Sequence, residues 1–240
     1  MSTWIRNKRK SSGISQTEVA KSLGISRPTY AKLELGDLKP TATQKSILAK
    51  IFGVSNDVVE KNSVGKEIVL KGIRQVPKEN VEKFKQVLIY IISKVGSRPN
   101  IGQTALYKLL YFIDFDFYQK NQKYLIGATY IKNTHGPSPV SFAKISKDLE
   151  RSGLLVEVNN KYFGYDQKRY MITSEPDVSL LTAVELKHID DELERLAFKS
   201  AKELSELSHI DTPWRVADER QILNYRHVFY RPDETSIDKE

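Results

Sequence analysis

The chain contains no cysteine, which excludes disulfides, thiolate metal sites and cysteine nucleophiles. Long apolar runs are missing too. The longest, Val87-Leu88-Ile89-Tyr90-Ile91-Ile92, falls far short of the roughly 20 residues that cross a bilayer, so no membrane partner is expected. The N-terminal WIRNKRKSSG has no apolar segment of the kind a secretory signal needs, and a cytoplasmic protein is expected. No glycine-rich loop could cradle a phosphate, since Gly127 and Gly136 stand alone. Histidine is scarce: His135, His188, His209 and His227 include no two at ligand spacing, so neither a metal nor a cofactor is expected. Asp114 and Asp116, two apart on a helix, point to different faces and make no carboxylate pair. Ser208 and His209 are the one pairing that invites a nucleophile, and adjacent helical positions also face apart. An enzyme is not expected.

What the chain does have is uneven charge. Its 240 residues, 40% hydrophobic and 28% charged, are ordinary for one or two soluble domains. The net charge of +8 lies wholly in residues 1–80, with 15 Lys and Arg against 7 Asp and Glu. Residues 81–240 carry 23 of each. A basic front and a neutral rear imply that only the front meets a polyanion.

The front domain, residues 1–62, reads as helices with explicit start signals. Ser15 followed by Glu18 is a capping box, Val19, Ala20 and Leu23 form a buried face, and Gly24 turns the chain. Ser26 caps a second helix with Pro28 in its first turn, where no donor is lost. Tyr30, Leu33 and Ala31 point inward, and Gly36 ends the helix. Helix, glycine turn and capped helix form a helix-turn-helix, which offers the start of its second helix to the major groove. By that geometry Arg27 and Thr29 are candidates for base edges. Gln16 would hold a phosphate or reach a base beside it, and Tyr30 either touches a phosphate or belongs to the core. Lys32 and Lys39 are backbone contacts or plain solvated lysines. A module this small reads a site as a pair, so a homodimer on a two-fold operator in double-stranded DNA is expected. SQTEVAKSLGIS and the downstream E-L-G resemble the Cro/CI-type (XRE) helix-turn-helix family. The resemblance implies a five-helix unit, with further helices at Thr43–Phe52 and Asn56–Lys61, and an Arg9–Glu34 ion pair bracing its first and third helices.

Residues 63–80 break the helical pattern and read as a linker, with a short strand at Glu67-Ile68-Val69-Leu70. The rear domain, residues 81–240, opens with a helix carrying Phe84, Val87, Leu88, Ile91 and Ile92 on one side. The next helix has two apolar stripes. Leu106, Leu109, Leu110, Ile113 and Phe117 make one, and Tyr107, Tyr111, Phe115 and Tyr118 the other, so it must be surrounded on most sides. Gly127-Ala128-Thr129-Tyr130 leads into a short strand, and His135-Gly136-Pro137-Ser138-Pro139 is a rigid turn suited to binding. An amphipathic helix over Val140–Arg151 follows. Then come strands at Leu154–Val158, Lys161–Tyr165 and Arg169–Ile172, with a turn at Asn159-Asn160. Helix and hairpin together have the plan of a winged helix, which serves either nucleic acid or a protein edge. Thr182 with Glu185, and Ser200 with Glu203, are capping boxes that start two more helices. The tail from Arg231 is polar and expected to fray. The fold class expected is mainly α: a five-helix unit, then an α+β, mostly helical domain with a small antiparallel sheet or wing.

KLLYFIDF, GATY and GPSP at this spacing, followed by Leu207-Ser208-His209 and Pro213-Trp214, resemble the Panacea (SocA-like) domain of bacterial antitoxins. The resemblance implies an antitoxin of a type II toxin–antitoxin system that binds a cognate toxin, encoded by the adjacent gene, and represses its own operon. On contact area, Tyr107, Tyr111, Tyr118, Tyr130, His135 and Pro137 are the residues to test for toxin binding, each alternatively core or loop-shaping. Two other readings stay open. One is a repressor whose rear domain dimerises or senses a ligand; the other is an adaptor that delivers a partner to a protease.

Overall fold

The computed structural model describes residues 3–63 and 78–237. They form two compact units. The strand expected at Glu67–Leu70 lies outside the described residues.

The front unit holds five helices: α1 (Thr3–Ser11), α2 (Gln16–Ser22), α3 (Arg27–Leu35), α4 (Ala42–Phe52) and α5 (Asn56–Ser63). The start signals act as anticipated. Ser15 Oγ accepts the Glu18 amide at 3.2 Å while the Glu18 carboxylate accepts the Ser15 amide at 2.7 Å. Ser26 Oγ accepts the Thr29 amide. A further box, Thr41 with Gln44, starts α4. Gly36 ends α3 at φ 78°, a conformation that costs a residue with a Cβ. Ile5, Val19, Leu23, Tyr30, Leu33, Leu48, Phe52 and Val59 fill one small core.

In the rear unit, α6 (Lys78–Val95) leads into α7 (Gln103–Asn121). Helix α7 is enclosed almost all round: Tyr107 is the one residue between Ala105 and Phe117 that is only half-buried. The two-residue strands β1 (Tyr130–Ile131) and β2 (Ser138–Pro139) pair antiparallel, Tyr130 opposite Pro139, with the Gly-Pro turn between them. Helix α8 (Phe142–Arg151) precedes the long hairpin of β3 (Leu155–Tyr162) and β4 (Tyr165–Ile172). Helices α9 (Ala183–Leu196), α10 (Ala201–Ile210) and α11 (Thr212–Arg215) and a 3-10 turn, Tyr225–Tyr230, complete the unit. Helix α9, α10 and the 3-10 turn all lie against α7.

Two expectations need correction. The hairpin turns at Phe163-Gly164, with φ of 48° and 84°, and Asn159-Asn160 runs straight inside β3. Two successive positive-φ residues make the mirror-image turn that matches strand twist, and here a phenylalanine accepts the strain that asparagine more often takes. The tail does not fray at Arg231, which is buried and held by two carboxylates (below); Thr235 beyond it is buried as well.

Candidate functional site

In the front unit, helix α3 presents its start at the surface. Arg27, Thr29 and Lys32 are half-buried and Lys39 is exposed. The Thr29 hydroxyl lies 2.8 Å from Ser26 Oγ, so it is shared with the helix cap. Tyr30 is fully enclosed in the core, which resolves its two readings in favour of packing. Gln16 is buried, and its Nε2 donates to Glu34 Oε2 at 2.9 Å. A side chain turned inward to a buried carboxylate is not placed to hold a phosphate, so that expectation is corrected. Arg9 Nε donates to the other Glu34 oxygen at 2.6 Å. The anticipated brace is therefore a triad, with Glu34 fully buried between Arg9 and Gln16.

The rear unit uses its buried polar groups to fix loops. Asp114 is fully buried on α7. Its Oδ1 accepts the amides of Ile126 and Gly127 at 2.9 and 3.1 Å, and its Oδ2 accepts that of Ala128 at 3.1 Å. The Tyr225 hydroxyl bonds the same carboxyl group. One carboxylate thus shapes the whole Gly-Ala-Thr-Tyr turn, and burial raises its pKa against the hydrogen bonds that lower it. Asp116, two residues on, receives the guanidinium groups of Arg231 and, at 2.6 Å, Arg195. Arg231 also grips Asp211 through two bonds of 2.8 Å each, the bidentate geometry that favours arginine. The two aspartates do face apart, as the helix requires; both turn out to be structural anchors, which no local pattern announced.

The turn between β1 and β2 is pinned from three sides. Lys108 on α7 donates its Nζ to the Pro137 carbonyl at 3.2 Å. Ser205 on α10 donates to the His135 carbonyl at 3.1 Å, and the Trp214 indole N–H on α11 to that of Asn133 at 3.3 Å. Gly136 sits at φ 97°, and a Cβ there would lie 2.4 Å from Ser208 Oγ and 2.7 Å from Lys108 Cε. His209 stacks on Trp214 with ring centres 4.2 Å apart, and Lys132 Nζ stands 4.1 Å over the same indole. Burial lowers the His209 pKa first, and the neighbouring Lys108, His135 and Lys132 lower it further. Lys108 is itself buried, and burial alone brings its ammonium down to about 7. The His209 Nε2 is buried with no hydrogen-bond partner among the described residues. Lys132 brings a positive charge to this turn, while His209 and Lys108 are both held towards their neutral forms.

The residues singled out for partner contact divide. Tyr111 and Tyr130 have no exposed surface. The Tyr111 hydroxyl donates to Asp211 at 2.7 Å and that of Tyr130 to the Leu110 carbonyl at 2.9 Å. Both belong to the core: Tyr111 lies on a covered stripe of α7, and Tyr130, on β1, packs its ring against Tyr111 and Phe115. Pro137 is also buried and shapes the loop. His135 is exposed, and Tyr107 and Tyr118 are half-buried. Tyr124, stacked on Tyr118 at 5.0 Å and 44% exposed, is an aromatic that periodicity could not find, because it lies beyond the end of α7. No group of metal-ligating side chains occurs among the described residues, and no described helix is long and apolar enough to cross a membrane.

Comparison with known proteins fits this division. The front unit defines a helix-turn-helix regulator: residues 5–57 match the helix-turn-helix family. The rear unit adds a second family, since residues 106–215 match "Antitoxin SocA-like, Panacea domain". A relative from Bacillus subtilis (strain 168), described as an SPbeta prophage-derived uncharacterized HTH-type transcriptional regulator, YonR, is 31% identical over 96 residues, which is 36% of this chain and 87% of that protein. No solved structure matches this chain. The chain belongs to the helix-turn-helix regulators and carries a SocA-like Panacea domain. These families are of regulator and antitoxin type, the first implying DNA and the second a protein partner.

Proposed function

We propose that this protein is the antitoxin of a type II toxin–antitoxin system. Its front unit represses the operon as a pair of copies on two-fold operator DNA, and its rear unit neutralises a toxin encoded beside it. One observation supports the second half most directly. KLLYF, GPSP, LSH and PW lie within residues 108–214, and Lys108, Ser208 and Trp214 from these motifs all reach the 133–138 turn, while Asp114 fixes the GATY turn that leads into it. A turn held this firmly is preorganised, so docking on it costs little ordering entropy. Lys132, standing over the Trp214 ring on which His209 stacks, gives it an aromatic face with a positive charge, suited to an acidic group on the toxin. Arg27, Thr29, Lys32 and Lys39 are the front-unit residues for DNA, and His135, Tyr107 and Tyr118 those for the toxin. Toxin binding is expected to change operator affinity, which would link the two activities.

The test is co-expression of the neighbouring reading frame with the full chain, scoring growth and co-purification. Growth arrest relieved by the chain, co-elution of the two proteins, and loss of both on His135→Asp with His209→Asp support neutralisation at this face. Absence of toxicity or of a complex rejects it. A second reading would then gain weight from a groove of about 470 Å³ lined by Gly102, Gln103, Tyr162, Tyr165, Lys168 and Ser200. There the rear unit would sense a small ligand.

A further inference from the structure

The hairpin has an open edge with a readable pattern. Strands β3 and β4 form a sheet of two, so among the described residues β3 has β4 on one side and no strand on the other. Val156 stands opposite Met171 and Tyr162 opposite Tyr165. One step beyond, the Thr173 amide donates to the Leu154 carbonyl at 3.3 Å. Hydrogen-bonded positions alternate along an antiparallel ladder, so even-numbered residues of β3 bond β4. Leu155, Glu157, Asn159 and Lys161 then send their N–H and C=O groups to the open edge.

We propose that a second copy of this chain covers that edge, β3 against β3, antiparallel about a two-fold axis at Asn159. Only registers that oppose odd-numbered residues to odd-numbered residues make the ladder. In the register centred on Asn159, Glu157 meets Lys161 of the second copy, twice by symmetry, and Val156 meets Tyr162. Shifting the axis by one residue puts Glu157 opposite Asn159 or the Phe163 turn, and the charge match is lost. Edge strands normally carry charges to deter pairing. Here two opposite charges four residues apart deter most partners and complement a copy of themselves. Glu157 already holds Lys168 at 2.8 Å through Oε1, and a carboxylate, with about four acceptor sites, has capacity for the incoming lysine as well. The contact adds about six backbone hydrogen bonds and covers Val156, 47% exposed in the single chain. This deepens the paired operator reading by naming the surface that makes the pair.

The chain's lack of cysteine makes the test clean. In the full chain without DNA, Asn159→Cys should form a disulfide dimer under mild oxidation at least tenfold faster than Lys161→Cys. Opposed residues of a bonded pair have Cα atoms about 5.5 Å apart, within disulfide reach, whereas the two Lys161 positions would lie about 14 Å apart. By sedimentation, Glu157→Lys and Lys161→Glu should each lower the dimer population, and the double exchange should restore it. Equal cross-linking rates, or a double variant no better than the singles, would overturn the proposal. Those are also the outcomes expected if another segment or a toxin strand occupied the edge. Operator binding is measured separately on the same proteins. A chain that binds operator but does not cross-link breaks only the surface, and one that cross-links but ignores operator breaks only the DNA reading.

Discussion

The two units spend buried polarity differently. In the front unit the caps act within four residues of one another, and the principal buried polar group is Glu34, satisfied by Arg9 and Gln16. In the rear unit, buried polar contacts join positions about a hundred residues apart: Tyr111 to Asp211, Asp114 to Tyr225, Asp116 to Arg231. The front unit is thus built from local rules. The rear unit is built from long-range anchors whose loss exposes a buried charge. The contrast predicts where single substitutions hurt most.

The largest effect is expected from Arg231→Met. It strips Asp116 and Asp211 of a shared, fully buried guanidinium, and uncompensated buried carboxylates cost about 3–5 kcal/mol. Thermal unfolding followed by intrinsic fluorescence should show the rear transition fall while operator binding at low temperature persists. A rear transition that does not move would mean that the network is not what holds the tail.

The corresponding change in the front unit is Arg9→Met, which leaves Glu34 with Gln16 alone. Because Arg9 keeps some solvent access, the expected cost is about 1.5–3 kcal/mol, the range for a hydrogen bond to a charged group. Operator binding should be lost at a lower temperature, with the rear transition unchanged. If both transitions shifted together, the units would not be energetically separate.

Legibility followed the same divide. Ser15, Ser26, Thr182 and Ser200 announced their helices because a cap is a local event between residues three apart, and all four caps form. The Arg9–Glu34 pair follows from the resemblance, whereas the part of Gln16 in it does not, because a glutamine at a helix start looks alike whether it faces DNA or a buried carboxylate. The stripes of α7 are visible in the sequence, yet periodicity cannot say whether a stripe is covered by the chain itself or by a partner, and for Tyr111 the structure takes the core alternative. Asp114, Asp116 and Arg231 were hidden because their partners are remote in sequence. Composition points to a turn at Asn159-Asn160, which has the commoner turn residues, whereas the pairing of Tyr162 with Tyr165 puts it at Phe163-Gly164.

A third test uses Lys108, a buried amine beside the pinned turn. Burial brings its pKa from 10.5 to about 7. Below pH 7 the folded chain carries the full cost of the buried ammonium. From about pH 7 to 10.5 the unfolded chain binds the extra proton, so wild-type stability rises with pH through that window. Lys108→Met keeps the length and removes the titration. Its stability advantage over wild type should shrink between pH 7 and 10 by up to about 1.4 kcal/mol per unit. A difference that stays flat with pH would show that the amine is hydrated in solution. The front unit, measured by operator binding, should not respond.

The smallest change compares like with like. Ser26→Ala and Ser200→Ala remove the same kind of cap, one from each unit, and each should cost about 1 kcal/mol locally. Their visible consequences should differ, because a free-energy change shifts Tm in inverse proportion to the unfolding entropy, which grows with the size of the cooperative unit. For a unit of about 60 residues the shift is about 4–8 °C, and for one of about 160 residues about 2–4 °C. Ser26→Ala should also weaken operator binding beyond its effect on stability. Thr29 shares a hydrogen bond with Ser26, so fraying the first turn of α3 disorders the residues proposed to meet the bases. Equal shifts from the two alanine changes would mean that the chain unfolds as one body, and the division into a locally built reader and a remotely anchored binding domain would not extend to its energetics.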